Sequence, residues 1–203
     1  MYARCLAMFC LLFGSTLFGR SLPDADTGVV VYLKGASSIS DTVLSEARIE
    51  AASLMQSLGV RVLWQEQAAG VGGYQGSLIV AEFRGNCSET ARDDVFDMRG
   101  GRRPLAETSI VDGRILPFAY INCDALGRFL GSAVVSQPGK RRQFVYGRAI
   151  GRLLAHEIYH IVAQTRSHTV AGVAKEYFSL TDLLANGLAF NSNRPPVPGE
   201  FLN

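Results

Sequence analysis

The stretch that decides the fold of this chain is its longest helical pattern, residues 143–164, which is QFVYGRAIGRLLAHEIYHIVAQ. Its apolar side chains recur at steps of three and four residues, the spacing that places side chains on one face of an α-helix. They are Phe144, Val145, Ile150, Leu153, Leu154, Ile158, Ile161 and Val162. The pattern therefore predicts a long amphipathic helix that turns this face toward a core.

The segments before this helix alternate between strand and helix patterns. A β-branched run at residues 28–33, a helical pattern at 40–58 and a second strand at 60–64 predict a βαβ unit with parallel strands. Asp112-Gly113 favours a hairpin turn. The other predicted elements are strands at 77–83, 107–111 and 114–121 and helices at 124–131 and 180–191. Together they predict a single α+β domain, residues 22–203, with a mixed sheet.

Residues 1–21 have the layout of a secretory signal peptide. Arg4 is an early positive charge, an apolar run at 5–18 follows, and Gly19 and Ser21 are small residues at the −3 and −1 sites of a peptidase cut. The apolar run is shorter than the roughly 20 residues of a membrane-spanning helix. The sequence therefore predicts an exported protein, secreted or periplasmic, with no stable membrane span after signal removal.

Removal of this signal changes the charge and the cysteine count. Because Arg4 and Arg20 belong to it, the 20 basic residues fall to 18 and balance the 18 acidic ones. The charge of the mature chain then gives no reason to expect nucleic-acid binding. The four cysteines fall to two, Cys87 and Cys123. In an oxidising compartment such a pair predicts a disulfide, and two buried thiols are the alternative.

The predicted long helix contains HEIYH at residues 156–160, a pattern with metal-binding geometry. Two histidines four residues apart lie on one helical face about 6 Å apart, so both imidazoles can reach one ion. Zinc takes such nitrogens at about 2.0–2.1 Å. A glutamate after the first histidine projects beside the metal, where it can accept a proton from bound water. His156 and His160 are therefore predicted Zn2+ ligands, with Glu157 as general base.

A catalytic zinc needs a third protein ligand and an open fourth position. His168 is the predicted third ligand, because the chain has three histidines and all of them lie within the 13 residues 156–168. Glu176 and Asp182 are the alternatives. A structural zinc would more often be closed by a fourth ligand such as cysteine, and none is nearby in the sequence.

HEIYH followed by a nearby third histidine resembles the zincin metallopeptidases, and the order of elements is most similar to a small metzincin-type catalytic domain. The resemblance implies a βαβ start, a long active-site helix, a sharp turn to the third histidine, a methionine-containing turn beneath the metal and a C-terminal helix. In this chain Ala163 and Arg166 stand where metzincins have a glycine and the third histidine, and Ala174 stands where the methionine is expected. The longer excursion to His168 is expected to reverse the chain without the left-handed backbone angles that favour glycine.

The resemblance implies an exported zinc-dependent metallohydrolase that cleaves peptide bonds with a zinc-activated water and Glu157 as general base. Its partners are then peptide or protein substrates, and the sequence does not define the oligomeric state. The residues themselves leave two alternatives open. One is a zinc hydrolase acting on a non-peptide amide or ester, and the other is an exported zinc-binding or interaction domain with little or no turnover.

Two further expectations concern the substrate cleft. An edge strand commonly lines such a cleft and pairs with an extended peptide, and the strand at 77–83 is the one expected there. The basic residues at the start of the long helix indicate a solvated face. A basic rim of the cleft is the alternative, with Arg152, one turn before His156, best placed to reach it.

Overall fold

The computed structural model describes residues 27–65, 77–88 and 104–191. The predicted signal at residues 1–21 lies outside these ranges, so its assignment stays a prediction. Within the described ranges, no helix combines the length and the apolar character needed to span a membrane.

The described residues form an α+β structure, as predicted. Its five strands are β1 (Thr27–Lys34), β2 (Val60–Gln65), β3 (Ser77–Arg84), β4 (Ala106–Val111) and β5 (Arg114–Asn122). Its helices are α1 (Asp41–Gln56), α2 (Cys123–Val135), α3 (Gly139–Val162) and α4 (Leu180–Leu184), and a short 3-10 turn at Ala36–Ser38 precedes α1.

The five strands form one mixed sheet in the order β2-β1-β3-β5-β4. β1, β2, β3 and β5 run parallel, whereas β4 pairs with β5 in the antiparallel direction. The prediction that residues 77–83 form the edge strand of a cleft is therefore wrong, because β3 lies between β1 and β5. The hairpin places β4 at the edge instead.

Both long helices lie over the sheet and against each other. Alternate residues of β1, β3 and β5 are buried, as expected where one sheet face meets a helical layer. They are Val29, Val31, Leu33, Ile79, Ala81, Phe83, Ala119 and Ile121. α3 completes this core, which confirms the predicted long helix. The prediction that it is amphipathic with one core-facing side is wrong, because every residue from Val145 to Val162 is buried, whereas Phe144 is 36% exposed.

Two glycines of α3 allow it to approach α1 closely. A Cβ atom added to Gly151 would lie 2.7 Å from the Ala47 carbonyl oxygen and 2.7 Å from the Glu50 Cβ. One added to Gly147 would lie 2.6 Å from the Val43 carbonyl oxygen. The backbones of the two helices are therefore in close contact at these glycines, and this contact fixes the position of α3.

Arg152 is buried in this helical layer and does not line a cleft. Its side chain is 0% exposed, and its Nε donates to Glu50 Oε1 at 2.7 Å. Its other nitrogens donate to the carbonyls of Asp182 and Ala185, the latter at 2.9 Å. The alternative of a basic rim formed by Arg152 is therefore wrong, since this guanidinium joins α1 and α3 to the chain at α4.

The last predicted helix, 180–191, is shorter than expected. α4 ends at Leu184, and Ala185 adopts an extended conformation with ψ of 155°. The carbonyls of Leu184 and Ala185 accept hydrogen bonds from Arg148. Because buried guanidinium groups satisfy these carbonyls, the chain does not need to continue as a helix to pair them.

A disulfide joins Cys87 to Cys123, with a Cα–Cα distance of 4.7 Å, as predicted. Cys87 follows β3, and Cys123 is the first residue of α2, directly after β5. The bond closes a loop with a sequence separation of 36, which in the chain-entropy view stabilises the fold by about 3–4 kcal/mol. It is compatible with an oxidising, exported environment.

We expect Gly151→Ala to destabilise the domain by about 1–3 kcal/mol, because the new methyl must push α3 away from the backbone of α1. Each kcal/mol corresponds to about 2–4 °C in Tm for a chain of this size. Gly127→Ala in α2 is the matched control, since no atom lies within 4 Å of a Cβ at that position. Thermal unfolding followed by circular dichroism measures both, and equal Tm values for the two variants would contradict the close approach.

Candidate metal centre

The last two turns of α3 bring His156 and His160 together. Their Nε2 atoms are 3.0 Å apart, and the ring planes are inclined by 82°. The two residues are 7% and 6% exposed. The four-residue spacing has therefore placed both rings on one buried face of the helix, as predicted.

Backbone carbonyls fix the chemical state of the two rings. His156 Nδ1 lies 2.7 Å from the Val173 oxygen, and His160 Nδ1 lies 2.7 Å from the Thr165 oxygen. A carbonyl can only accept, so each Nδ1 carries the hydrogen, a tautomer inferred from its partner. Each Nε2 then faces the Nε2 of the other ring. This is the arrangement of metal-ligating histidines whose second nitrogen is held by the protein.

The separation of the two Nε2 atoms is compatible with a shared metal ion. Nitrogens bound tetrahedrally to one zinc at about 2.0–2.1 Å would be about 3.3–3.4 Å apart. The observed separation of 3.0 Å is close to that value. The donor set therefore fits a metal ion.

His168 completes the cluster. The ligand atoms of His156, His160 and His168 all lie within 4.8 Å of one another. His168 is exposed, and its ring centroid is 5.4 Å from that of His156 and 4.8 Å from that of His160. The structure thus brings the three predicted ligands together in a group that could hold a metal ion, with one open side toward solvent. It does not identify the metal.

The two alternative third ligands lie outside this group. Within the described ranges, the three histidines are the residues that group around a possible ion, and neither Glu176 nor Asp182 joins them. Asp182 bonds to Lys175 and Ser179 instead. Glu176 is exposed and pairs with the Tyr177 hydroxyl, which raises the pKa of that tyrosine.

The chain leaves α3 through a Schellman motif. The Thr165 N–H donates to the His160 oxygen at 3.2 Å, and the Gln164 N–H donates to the Ile161 oxygen at 3.3 Å. Gln164 has a φ of 45°. The expectation that the longer excursion avoids the left-handed conformation is therefore wrong. Gln164, the residue after Ala163, adopts that conformation although it is not a glycine. The Schellman motif compensates for this, because its two N–H groups donate to carbonyls of the last helical turn.

The loop after His168 lies next to the histidine cluster and contacts His156 through its backbone. Thr169 forms a bridge with Lys175, and its N–H donates to the Ala174 oxygen at 2.9 Å. Val173 and Ala174 are fully buried. The Val173 carbonyl is the acceptor for His156. Ala174, at the position of the missing methionine, thus belongs to a packed turn beside the histidines.

Glu157 lies on the same end of α3 and is 4% exposed. Burial raises the pKa of its carboxyl to about 7, a hydrogen bond from Thr108 lowers it in part, and the charge of Glu107 raises it. The Thr108 hydroxyl donates to Glu157 Oε2 at 2.6 Å. A carboxyl with a pKa near neutrality can both accept and return a proton at physiological pH.

The electrostatics of His160 also suit metal binding. Burial lowers the pKa of its imidazole, the hydrogen bond to Thr165 raises it in part, and the charge of His168 lowers it further. The ring is consequently neutral at pH 7, which is the form that binds metal.

The residues outside HEIYH that contact its histidines and its glutamate were not predicted from the sequence. The carbonyls of Thr165 and Val173 orient the histidines, and Thr108 contacts Glu157 from β4. A backbone carbonyl has no side-chain signal in a sequence. Thr108 is separated from Glu157 by 49 residues, and no spacing rule connects them.

No model of a known protein family matches this chain, and no curated protein and no solved structure is significantly similar to it. The function of the site is therefore inferred from its own geometry and chemistry.

An ion pair holds the loop that carries His168 against α4. Lys175 and the Ser179 hydroxyl both bond to Asp182 Oδ2, and the Ser179 N–H donates to the same oxygen at 2.6 Å. Burial alone would raise the pKa of Asp182, but the hydrogen bonds from Lys175 and Ser179 outweigh it and hold the pKa at about 2. An unfolded aspartate has a pKa of about 3.9.

This lowered pKa predicts a pH-dependent contribution to stability. The stabilisation is present above about pH 4 and is lost as the pH falls toward 2, because the carboxylate binds a proton more readily when unfolded. We expect Asp182→Asn to lower Tm at pH 7 by about 2–4 °C, which corresponds to about 1 kcal/mol. The difference from the unchanged protein should shrink between pH 4 and pH 2.

Asp112→Asn is the matched control, since Asp112 lies in the exposed β4–β5 turn and asparagine also tolerates its φ of 50°. Differential scanning calorimetry across this pH range measures all three proteins. A Tm difference for Asp182→Asn that does not change with pH would contradict the ion pair.

Proposed function

We propose that this chain is an exported zinc-dependent metallohydrolase, of metzincin-like zincin type, that cleaves peptide bonds. The observation that carries the proposal is the group of three imidazoles, in which the ligand atoms of His156, His160 and His168 lie within 4.8 Å of one another and the buried Glu157 carboxyl is adjacent in sequence.

The order of elements supports the metzincin-like assignment. A βαβ start leads through further strands to α3, a turn leads to His168, and a buried turn at 173–174 precedes α4. The departures remain at Ala163, Arg166 and Ala174. The turn methionine packs beneath the site in that family and binds no metal, so its replacement by a buried alanine leaves the ligand set unchanged.

His156, His160 and His168 would hold the ion, and neutral imidazoles suit zinc. A zinc ion held there would supply Lewis acidity, which would activate a water molecule and polarise a substrate carbonyl. Glu157 accepts the proton of the attacking water and passes it to the leaving amine. Its pKa of about 7 suits both transfers.

The position of β4 suggests how a peptide would be held. β4 is one of the two edge strands of the described sheet, and its Thr108 contacts Glu157. An extended peptide that pairs with an edge strand gains main-chain hydrogen bonds in a fixed register. A peptide on the outer side of β4 would therefore present its carbonyls close to the general base.

We expect the exported form to bind one zinc ion per chain and to cleave peptides in a chelator-sensitive way. Glu157→Gln removes the base and should lower kcat about 10²–10⁴-fold while zinc stays bound. Zinc content by plasma mass spectrometry and a screen of a mixed peptide library measure the two properties together.

Glu176→Gln is the matched control, because it makes the same chemical change at an exposed residue outside the cluster. It should keep both zinc and activity, and loss of zinc in this variant would identify Glu176 as a ligand. Full zinc occupancy without cleavage would favour a binding domain, and cleavage of amide or ester substrates alone would favour a non-peptide hydrolase. A chain that binds no zinc at neutral pH would overturn the proposal.

A further inference from the structure

We propose that Thr108 is a positioning residue that sets the orientation of the Glu157 carboxylate at the metal centre. This inference rests on the proposed function, since it concerns how the general base acts. It assigns a role to a residue that lies on β4, outside the helix and the loop that carry the histidines.

The contact is short and specific. Thr108 Oγ1 donates to Glu157 Oε2 at 2.6 Å, whereas the Glu157 backbone oxygen is 3.4 Å away from the same hydroxyl. A hydroxyl has one hydrogen to donate. The carboxylate oxygen, which is closer and more negative, therefore takes it.

The sheet fixes Thr108 independently of α3. Thr108 pairs with Ala119 of β5, and Ala119 is fully buried in the core. The hydroxyl therefore approaches Glu157 from the sheet and connects its carboxylate to an element other than α3. A catalytic group needs this kind of support, because an error of about 0.5 Å in its position already costs activity.

The bond also assigns different tasks to the two carboxylate oxygens. Oε2 accepts the hydrogen bond from Thr108, so we assign proton acceptance to Oε1. Without the hydroxyl, the carboxylate could rotate and present either oxygen at a poorer angle. A purely structural threonine would affect the stability of the domain and not the proton acceptance of Glu157.

The test uses a probe that needs no peptide substrate. Acetohydroxamic acid binds zinc as its anion, and a base beside the metal stabilises the complex when it holds the released proton. Its affinity therefore reports on the orientation of Glu157 even if the natural substrate is unknown. Isothermal titration of acetohydroxamic acid into the zinc-loaded exported form measures this affinity.

We expect Thr108→Val to keep the strand and the zinc content but to weaken acetohydroxamate binding about ten- to hundredfold, the range of a hydrogen bond to a charged group. kcat for peptide cleavage should fall by a similar factor while KM changes less than about threefold. Thr108→Ser keeps the hydroxyl and should restore both to within about threefold. Ser109→Ala, the neighbouring hydroxyl on β4, is the matched control and should change neither.

Three outcomes would overturn the inference: wild-type affinity in Thr108→Val, an equal loss in Thr108→Ser, or an equal loss in Ser109→Ala. A wild-type chain that binds zinc and acetohydroxamate but cleaves no peptide refutes the proposed substrate, and the Thr108 variants then still decide the role of Thr108. A chain that binds no zinc overturns both proposals.

Discussion

The Nε2 atoms of His156 and His160 lie 3.0 Å apart on a buried helical face, and each ring donates its other N–H to a backbone carbonyl. Because both Nδ1 hydrogens point to carbonyls, the two Nε2 atoms face each other on the buried side of the helix. Together with His168 they form a group of three imidazoles whose ligand atoms lie within 4.8 Å of one another and could hold a metal ion.

The rest of the fold holds these rings in place. Gly147 and Gly151 let α3 lie directly on the backbone of α1, and Arg152 joins both helices to the carbonyls around α4. The Schellman motif after α3 returns the chain so that the Thr165 carbonyl reaches His160. The buried turn at 173–174 supplies the carbonyl for His156. The position of α3 and the geometry of the loop that follows it together orient the rings of His156 and His160.

The features that depend on residues near each other in the chain were predicted from local sequence patterns. Helical and strand periodicity located most elements, and the concentration of three histidines in one segment predicted the cluster. Strand order was not predictable in this way, because periodicity does not say which strands pair, and the edge proved to be β4 and not residues 77–83. The early end of α4 depends on buried arginines far away in the chain, and the contact of Thr108 with Glu157 spans 49 residues. Such long-range contacts follow from the assembled fold and leave no local signal.

The proposed binding of one metal ion by three imidazoles is tested most directly by X-ray absorption at the zinc K-edge of the zinc-loaded chain. We expect one zinc per chain with nitrogen and oxygen neighbours at about 2.0–2.1 Å, and multiple scattering from three imidazole rings. A shell with a sulfur neighbour at about 2.3 Å, or six oxygen neighbours without imidazole scattering, would contradict it.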